Sequence, residues 1–502
     1  MKRSFLRFFA FSPLLLGSLL LSCSDEQKAA WPPPLPGADK NGVATINTPE
    51  MLQVPAEVQQ VLDSAGIDLD IASTAPTVQL VYHHSLPDSA LNGVGWSSWG
   101  DICLASDGRV YSGTGNHWYI DKGQTFVYSW DPGSSVLKKI ADVNQVTGAG
   151  ADDVHFSKVH APVFEGKDRK IYFTGTLDDG DKAGMSPIVE KWNSKIAGGK
   201  LFQYDPSNGK TVVYADFPPA RVTATAIYDV NRDILYCELE GDPKGMEGVS
   251  FGAFDMAKKE WIFRTEPGVV SHHRNLMLDK QGNVYFNGQQ EVLSASELKE
   301  LESRSGRTTS MLPADQAERI RKHPVTQIWK YDPVTRSVSA TRSRTLGGFR
   351  SSTHETKDGF IYGTTMDGEL FKYSPSKDEL TLLGSNFLDK GEYITVCVLS
   401  PDEKYLYYLP GAHGSAGFSG TPVIQYNIAE GRQKALAFLS EPMVKAFNYA
   451  PGGTYGVKIS SDGSALYIGL NGSLAGDAKP KEHESGFGLT SFAVVHIPAE
   501  ER

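Results

Sequence analysis

VSHHRNLMLDKQGNVYF, Val270–Phe286, reads as two β-strands joined by a tight turn. LMLD and NVYF supply the apolar and β-branched residues of paired strands, and Lys280-Gln281-Gly282 supplies a polar turn with a glycine. The stretch decides the fold because its second half recurs. A polar turn followed by an apolar residue and a tyrosine appears as SDGRVY ending at Tyr111, KDRKIY at Tyr172, NRDILY at Tyr236, KQGNVY at Tyr285, KDGFIY at Tyr362, DEKYLY at Tyr407 and DGSALY at Tyr467. An aromatic strand running into a turn follows six of them: FVYSWDPGS, LFQYDPSNG, FGAFDMAKK, IWKYDPVTR, LFKYSPSKD and VIQYNIAEG. SFAVVHIP takes the seventh place at the C-terminus. The tyrosines lie 45 to 77 residues apart, which is room for a four-stranded unit with variable loops. Seven such units predict an all-β chain folded as a seven-bladed β-propeller. Two stacked sandwiches would not fit one unbroken repeat.

The ends of the repeat predict how the ring closes. After SFAVVHIP the chain stops one strand short of a full blade, and TVQLVYHH, Thr77–His84, is a strand left over at the other end. Pairing the two gives a split last blade and removes both sheet edges. The longest insertion, Glu291 to Gln327, is charged and helical in pattern, and falls between the second and third strands of blade four.

Before the repeats the composition changes. Residues 1–22 carry Lys2, Arg3 and Arg7 and then a mostly apolar run, the pattern of a secretory signal and too short for a membrane span. Leu20-Leu21-Ser22-Cys23 resembles a bacterial lipobox, so Cys23 is the expected lipidation site. A lipoprotein of the bacterial cell envelope follows, held at the outer membrane by its lipid alone. Residues 23–76 are read as a Pro-rich tether and a short N-terminal helix with a Thr cap, and 77–502 as the propeller. The formal charge of −10 argues against nucleic acid as a partner. Cys103, Cys237 and Cys397 lie far apart in apolar runs and read as buried free thiols. No cofactor is expected. DVNRD has the look of a calcium turn but too few acidic ligands, so a metal, if any, is structural.

In a propeller the first strand of each blade lines the central channel. Counting back about twelve residues from each motif tyrosine, a few more where the turn is longer, reaches the strand starts: Trp99, His160, Arg221, His273, Arg350, Tyr393 and Tyr455. Four of these seven are His or Arg. His272 and His273 therefore open an inner strand at the channel mouth, with Arg274 just deeper and His354 further down blade five. Second strands end at the same face and bring His117, Trp118, Asn287, His413 and Asn471. Aromatic rings beside polar groups suit a carbohydrate. Trp99, Trp118, Arg274, Asn287, Arg350, His354 and His413 are the expected substrate-binding residues.

Nothing in the chain reads as a nucleophile elbow, a phosphate loop or an HExxH helix, and paired carboxylates are not evident at the mouth. Arg and His in a ring suit an anionic ligand, because Arg can clamp a carboxylate or sulfate through two parallel hydrogen bonds. They also match β-elimination on a uronate sugar. An Arg or His neutralises the carboxylate so that charge can build up in the transition state. A His or Tyr removes the C5 proton, and a second group protonates the leaving oxygen. The competing expectation is a non-catalytic propeller that binds a glycan or a partner protein at the cell surface.

GNHWY, KVHAPVFEGKDRKIYF and LFQYDPSNGKTVVYADFPPAR resemble the site-bearing blades of propeller polysaccharide lyases of the ulvan-lyase type, over roughly Gly93 to Tyr285. The resemblance implies His117, His160, Tyr204 and Arg221 as catalytic residues, with His273 a further candidate and His155 a rival in the long segment before His160. It implies an anionic polysaccharide or oligosaccharide as substrate, a metal-free reaction and a monomeric chain.

Overall fold

The computed structural model describes residues 31–502 except 67, 87–94, 117–122, 151–152, 177–198, 218–221, 241–248, 272–274, 292–295, 297–324, 367, 386–393, 412–415, 417–418 and 477–487. It is a seven-bladed β-propeller. Each of the first six blades is a four-stranded antiparallel meander, with inner strands Cys103–Leu104, Phe164–Glu165, Val222–Asp229, Leu276–Leu278, Phe349–Ser352 and Cys397–Leu399. Blade seven takes Tyr449–Ile459, Ala465–Leu474 and Ser491–His496 from the end of the chain and Thr77–Tyr82 from its start. The register runs from Thr77 opposite His496 to Tyr82 opposite Ser491, which is the closure the leftover strand predicts.

The repeated tyrosine has a physical reason. At all seven positions the residue is no more than 6% exposed. In three of them the hydroxyl reaches back to the turn: Tyr111 donates to Asp107 (2.9 Å), Tyr172 to Asp168 (3.0 Å) and Tyr285 to Asp279 (3.0 Å). One side chain thus fills the seam and ties the turn to its blade. The core is the set of seams between blades: Tyr111, Val159, Phe173 and Phe202 pack between blades one and two, and Tyr236, Phe251, Leu276 and Tyr331 between blades three and four.

Glycines let the blades approach. A Cβ on Gly115 would stand 1.9 Å from the Ser157 carbonyl oxygen and 2.7 Å from Lys158 Cα, both backbone atoms of the next blade. Gly115→Ala must push blades one and two apart. We expect a loss of about 1–3 kcal/mol or more, read as a lower thermal midpoint; an unchanged midpoint would show that the seam yields.

The segment before Thr77 differs from a tether. Val43–Ile46 adds a fifth strand to blade seven, antiparallel to Thr77–Tyr82, and Leu69–Ile71 adds a parallel fifth strand to blade six. Between them Pro49–Leu52 forms a 3-10 turn capped by Thr48, and Ala56–Ala65 an α-helix whose Val58 and Leu62 pack among Ile424, Tyr426 and Phe438. Open outer strands offer unpaired backbone groups, and the segment uses them. The C-terminus locks it in place: Glu501, 4% exposed, accepts from Ser73 N (2.5 Å) and Oγ (2.6 Å) and pairs with Lys434 at 2.8 Å. Residues 1–30, with Cys23, lie outside the described residues, as does nearly all of the blade-four insertion, which falls between strands ending at Glu291 and starting at Val325. Cys103, Cys237 and Cys397 are buried free thiols.

Candidate functional site at the channel mouth

The inner strands point their starts at one end of the ring, and residues of all seven blades line a single cavity there. Trp99, His160, Arg350 and Tyr455 come from blades one, two, five and seven. Its empty space, open mouth included, is about 490 Å³, of which about 80 Å³ has the depth to hold ordered water. A polar layer lies beneath. Asp101, Asn275, Ser352 and Thr395 each sit two residues after a predicted ring position and line the same cavity.

The upper layer is a row of rings and cations. The Trp99 indole stacks on the His160 imidazole (centroids 6.1 Å, 17°) and leans on Tyr455 (4.9 Å, 31°). Its Nε1–H donates to Ser97 Oγ at 2.7 Å, which sets the ring plane. The Arg350 guanidinium is 5.9 Å from the Tyr455 centroid, and the Lys158 ammonium is 5.3 Å from that of Trp99. His160, 4% exposed, hydrogen-bonds through Nδ1 to the Ala224 carbonyl of blade three at 2.7 Å. A carbonyl only accepts, so Nδ1 carries the proton of this hydrogen bond. Arg350 is 6% exposed.

The polar groups of the lower layer are hydrogen-bonded. Asn275 Nδ2 donates to Ser352 Oγ (3.3 Å), Ser352 Oγ to the Leu276 carbonyl (3.0 Å) and Thr395 Oγ1 to the Thr454 carbonyl (2.5 Å). Asp101 pairs with Lys458 and accepts from Ile102 N (2.9 Å) and Val457 N (3.2 Å). Burial pushes the Asp101 carboxyl up, against the pull of Lys458 and the two N–H groups. Lys458 offsets the cavity's acid, and with Arg350 in the wall the cavity suits an anion. Sequence reading missed Asp101 and Lys458: Asp101 precedes the short inner strand Cys103–Leu104, outside its alternation, and Lys458 faces it from blade seven.

Three expected site residues lie elsewhere. Tyr204 is paired with Ile171 beside the polar turn of blade two, at the end of the blade away from the mouth. It is buried against Tyr111 (6.1 Å) and is a seam residue. Tyr204→Phe is therefore expected to leave any activity at the channel mouth within about twofold of the parent, because its ring packing is retained; a loss of tenfold or more in initial rate would overturn this placement. His354 is exposed on the turn face and faces Glu403 of blade six at 3.6 Å. The strand ends before it at Ser352, so alternation no longer governs its direction. Asn287, wholly buried, exchanges hydrogen bonds with the Phe349 backbone (2.8 and 2.9 Å) and clamps blade four to blade five. Asn471 does the same for blades seven and one through Ser98 (2.9 and 2.7 Å).

His117, Trp118, Arg221, His273, Arg274 and His413 lie outside the described residues. The rival His155 bonds to the Gly150 carbonyl (2.9 Å) in its own exposed loop. Asp229 of the DVNRD turn accepts from Asn231 N and Arg232 N and pairs with Arg232 at 3.0 Å, which occupies the carboxylate a cation would need. Among the described residues no group of three or more His, Cys, Asp or Glu is arranged to hold a metal, and no helix is long and apolar enough to cross a membrane.

The fold and the mouth together define a propeller with a polar, aromatic-lined axial cavity. No protein-family model matches the chain, and no curated protein matches it. Solved structures resemble it in fold. One is the structure of U3-55K, at 11% identity and TM-score 0.47 over 84% of this chain and 98% of that one. The RRP9 WD40 repeats follow at 10% and 0.46, over 86% and 100%. A chain of the mitotic checkpoint complex has 11% and 0.44, over 99% of each. Likeness at this level says nothing of ligand or activity.

Proposed function

We propose that the protein is a polysaccharide lyase that cleaves a uronate-containing anionic glycan by β-elimination at the channel mouth. The observation that carries the reading is the meeting of His160, Trp99, Tyr455 and Arg350 in one cavity. Arg350 has five N–H donors, enough to clamp a uronate carboxylate while keeping other contacts. Trp99 and Tyr455 line the cavity with aromatic surface. His160, whose Nδ1 is held by the Ala224 carbonyl, is the proposed base for the C5 proton. The C5–H electron pair becomes the C4–C5 double bond, the C4–O bond breaks, and the leaving oxygen takes a proton from a second group. His117, Arg221 and His273 are the candidates that the sequence and its resemblance to ulvan-lyase-type propellers add to this set; Tyr204 is not among them, because of its place in the fold.

The substrate is a glycan, and no nucleic acid or cofactor enters the reading. The chain is a monomer, lipidated at Cys23 and held at the outer membrane of a bacterial cell envelope. Cys23→Ala would release it to the soluble fraction or leave it unprocessed, and unchanged membrane partitioning would refute the anchor. Incubation with a panel of uronate glycans tests the activity. The unsaturated uronate absorbs in the near ultraviolet, whereas a non-catalytic glycan binder gives binding and no absorbance.

A further inference from the structure

At the other end of the ring, the turns of blades two and three part around a second cavity of about 370 Å³, inside an opening of about 670 Å³. That is within the range of small-molecule sites, roughly 300–1,000 Å³. Lys167 and Asp168 line it from the blade-two turn, Asp233 and Met256 from blade three, and Tyr172 and Tyr214 from the strands between.

Its walls are preformed. The Tyr228 hydroxyl accepts from Lys167 N (3.0 Å) and donates to Asp233 Oδ1 (2.7 Å), so one group ties the two turns together across the seam. The Tyr214 hydroxyl donates to the Met256 carbonyl (2.6 Å), and the Tyr172 hydroxyl to Asp168 Oδ2 (3.0 Å). Tyr214 meets Tyr172 edge-on at 5.1 Å and holds the Lys259 ammonium 4.0 Å from its centroid. A ligand would enter a cavity that has little ordering left to undergo.

The charge distinguishes this cavity from the mouth. Lys167 stands among Asp168 and Asp233 in the wall, one cation with two acids, and Lys259 rests on the Tyr214 ring. The wall thus has no excess of cations to draw an anion, while it presents carboxylate acceptors, an ammonium donor and aromatic surface of Tyr214. Such a surface suits a molecule rich in hydroxyls, with C–H faces between them. We propose that the seam between blades two and three is a second glycan-binding site, for uncharged sugar residues. The site is independent of the lyase reading.

Calorimetric titration of the full chain with cellohexaose, xylohexaose and mannohexaose at millimolar concentration tests it. At least one should bind. Lys167→Ala, which removes an exposed side chain, and Tyr214→Ala should each weaken that binding about tenfold or more, the effect of one lost charge-assisted or stacking contact. His160→Gln, at the other end of the ring, should leave it unchanged. The proposal is overturned if none of the three sugars binds the parent, if binding survives both seam substitutions, or if the His160 variant abolishes it.

Discussion

His160→Gln is expected to slow uronate-glycan cleavage by roughly 10²- to 10⁴-fold, the usual contribution of one acid–base group, with little change in thermal midpoint. Glutamine can still donate to the Ala224 carbonyl that His160 now holds at 2.7 Å. It has no nitrogen lone pair to take a proton, so the chemistry is lost while the seam contact is kept. Arg350→Lys separates the second role. Lysine keeps the charge but not the planar fork, so the cost should appear in both kcat and KM. The measurement is the initial rate of near-ultraviolet absorbance at saturating and limiting glycan, with midpoints measured in parallel. A His160 variant that folds and cleaves at the parental rate would remove His160 from the mechanism. A parent that cleaves no uronate glycan would remove the lyase reading itself.

The second large effect concerns acid. His83 directly follows the closing strand and is completely buried at the seam between blades seven and one. Its Nε2 lies 3.3 Å from Ser112 Oγ, and its ring meets Tyr128 edge-on at 4.6 Å. Burial pushes its imidazole down to about 3, with the neighbouring His84 adding in the same direction and a Thr490 backbone contact opposing. The folded value is below the unfolded one, near 6.5. Between the two the unfolded chain binds a proton that the native chain refuses. Stability from the neutral ring is therefore complete above about pH 6.5 and drains as pH falls towards about 3. One such proton shifts the folding equilibrium by roughly tenfold per pH unit. We expect the parent's midpoint to fall steeply over this range and His83→Gln to flatten the slope, whatever it does to stability at neutral pH. Parallel slopes would sink the assignment. The closing seam is the natural place for this sensitivity, because it joins the two ends of the chain.

Much of the candidate site was legible because a propeller converts sequence position into depth. Once the seven tyrosines set the period, counting back reached Trp99, His160, Arg350 and Tyr455, and the structure brings these four to one cavity. Tyr204 misled because its YDP motif belongs to the repeat. Six of the seven third strands carry an aromatic residue there, and the partner of Tyr204, Ile171, is beside the turn and not the mouth. Asn287 misled for a different reason. A polar residue at a strand exit can face a ligand or satisfy the next blade's backbone, and only the distance to Phe349 separates the two.

The sequence by itself determined the blade count, the strand that closes the ring and the inner-strand starts Trp99, His160, Arg350 and Tyr455. Each follows from contacts between strands that are neighbours in the chain or from a repeat that any blade reports. Only the tertiary structure decided the rest. Asp101 meets Lys458 across 357 residues, Ser73 meets Glu501 across 428, and the blade-two and blade-three turns enclose a cavity that neither forms alone. Periodicity tells a residue which face of its strand it takes. Which group stands opposite it across a seam depends on how the whole ring closes.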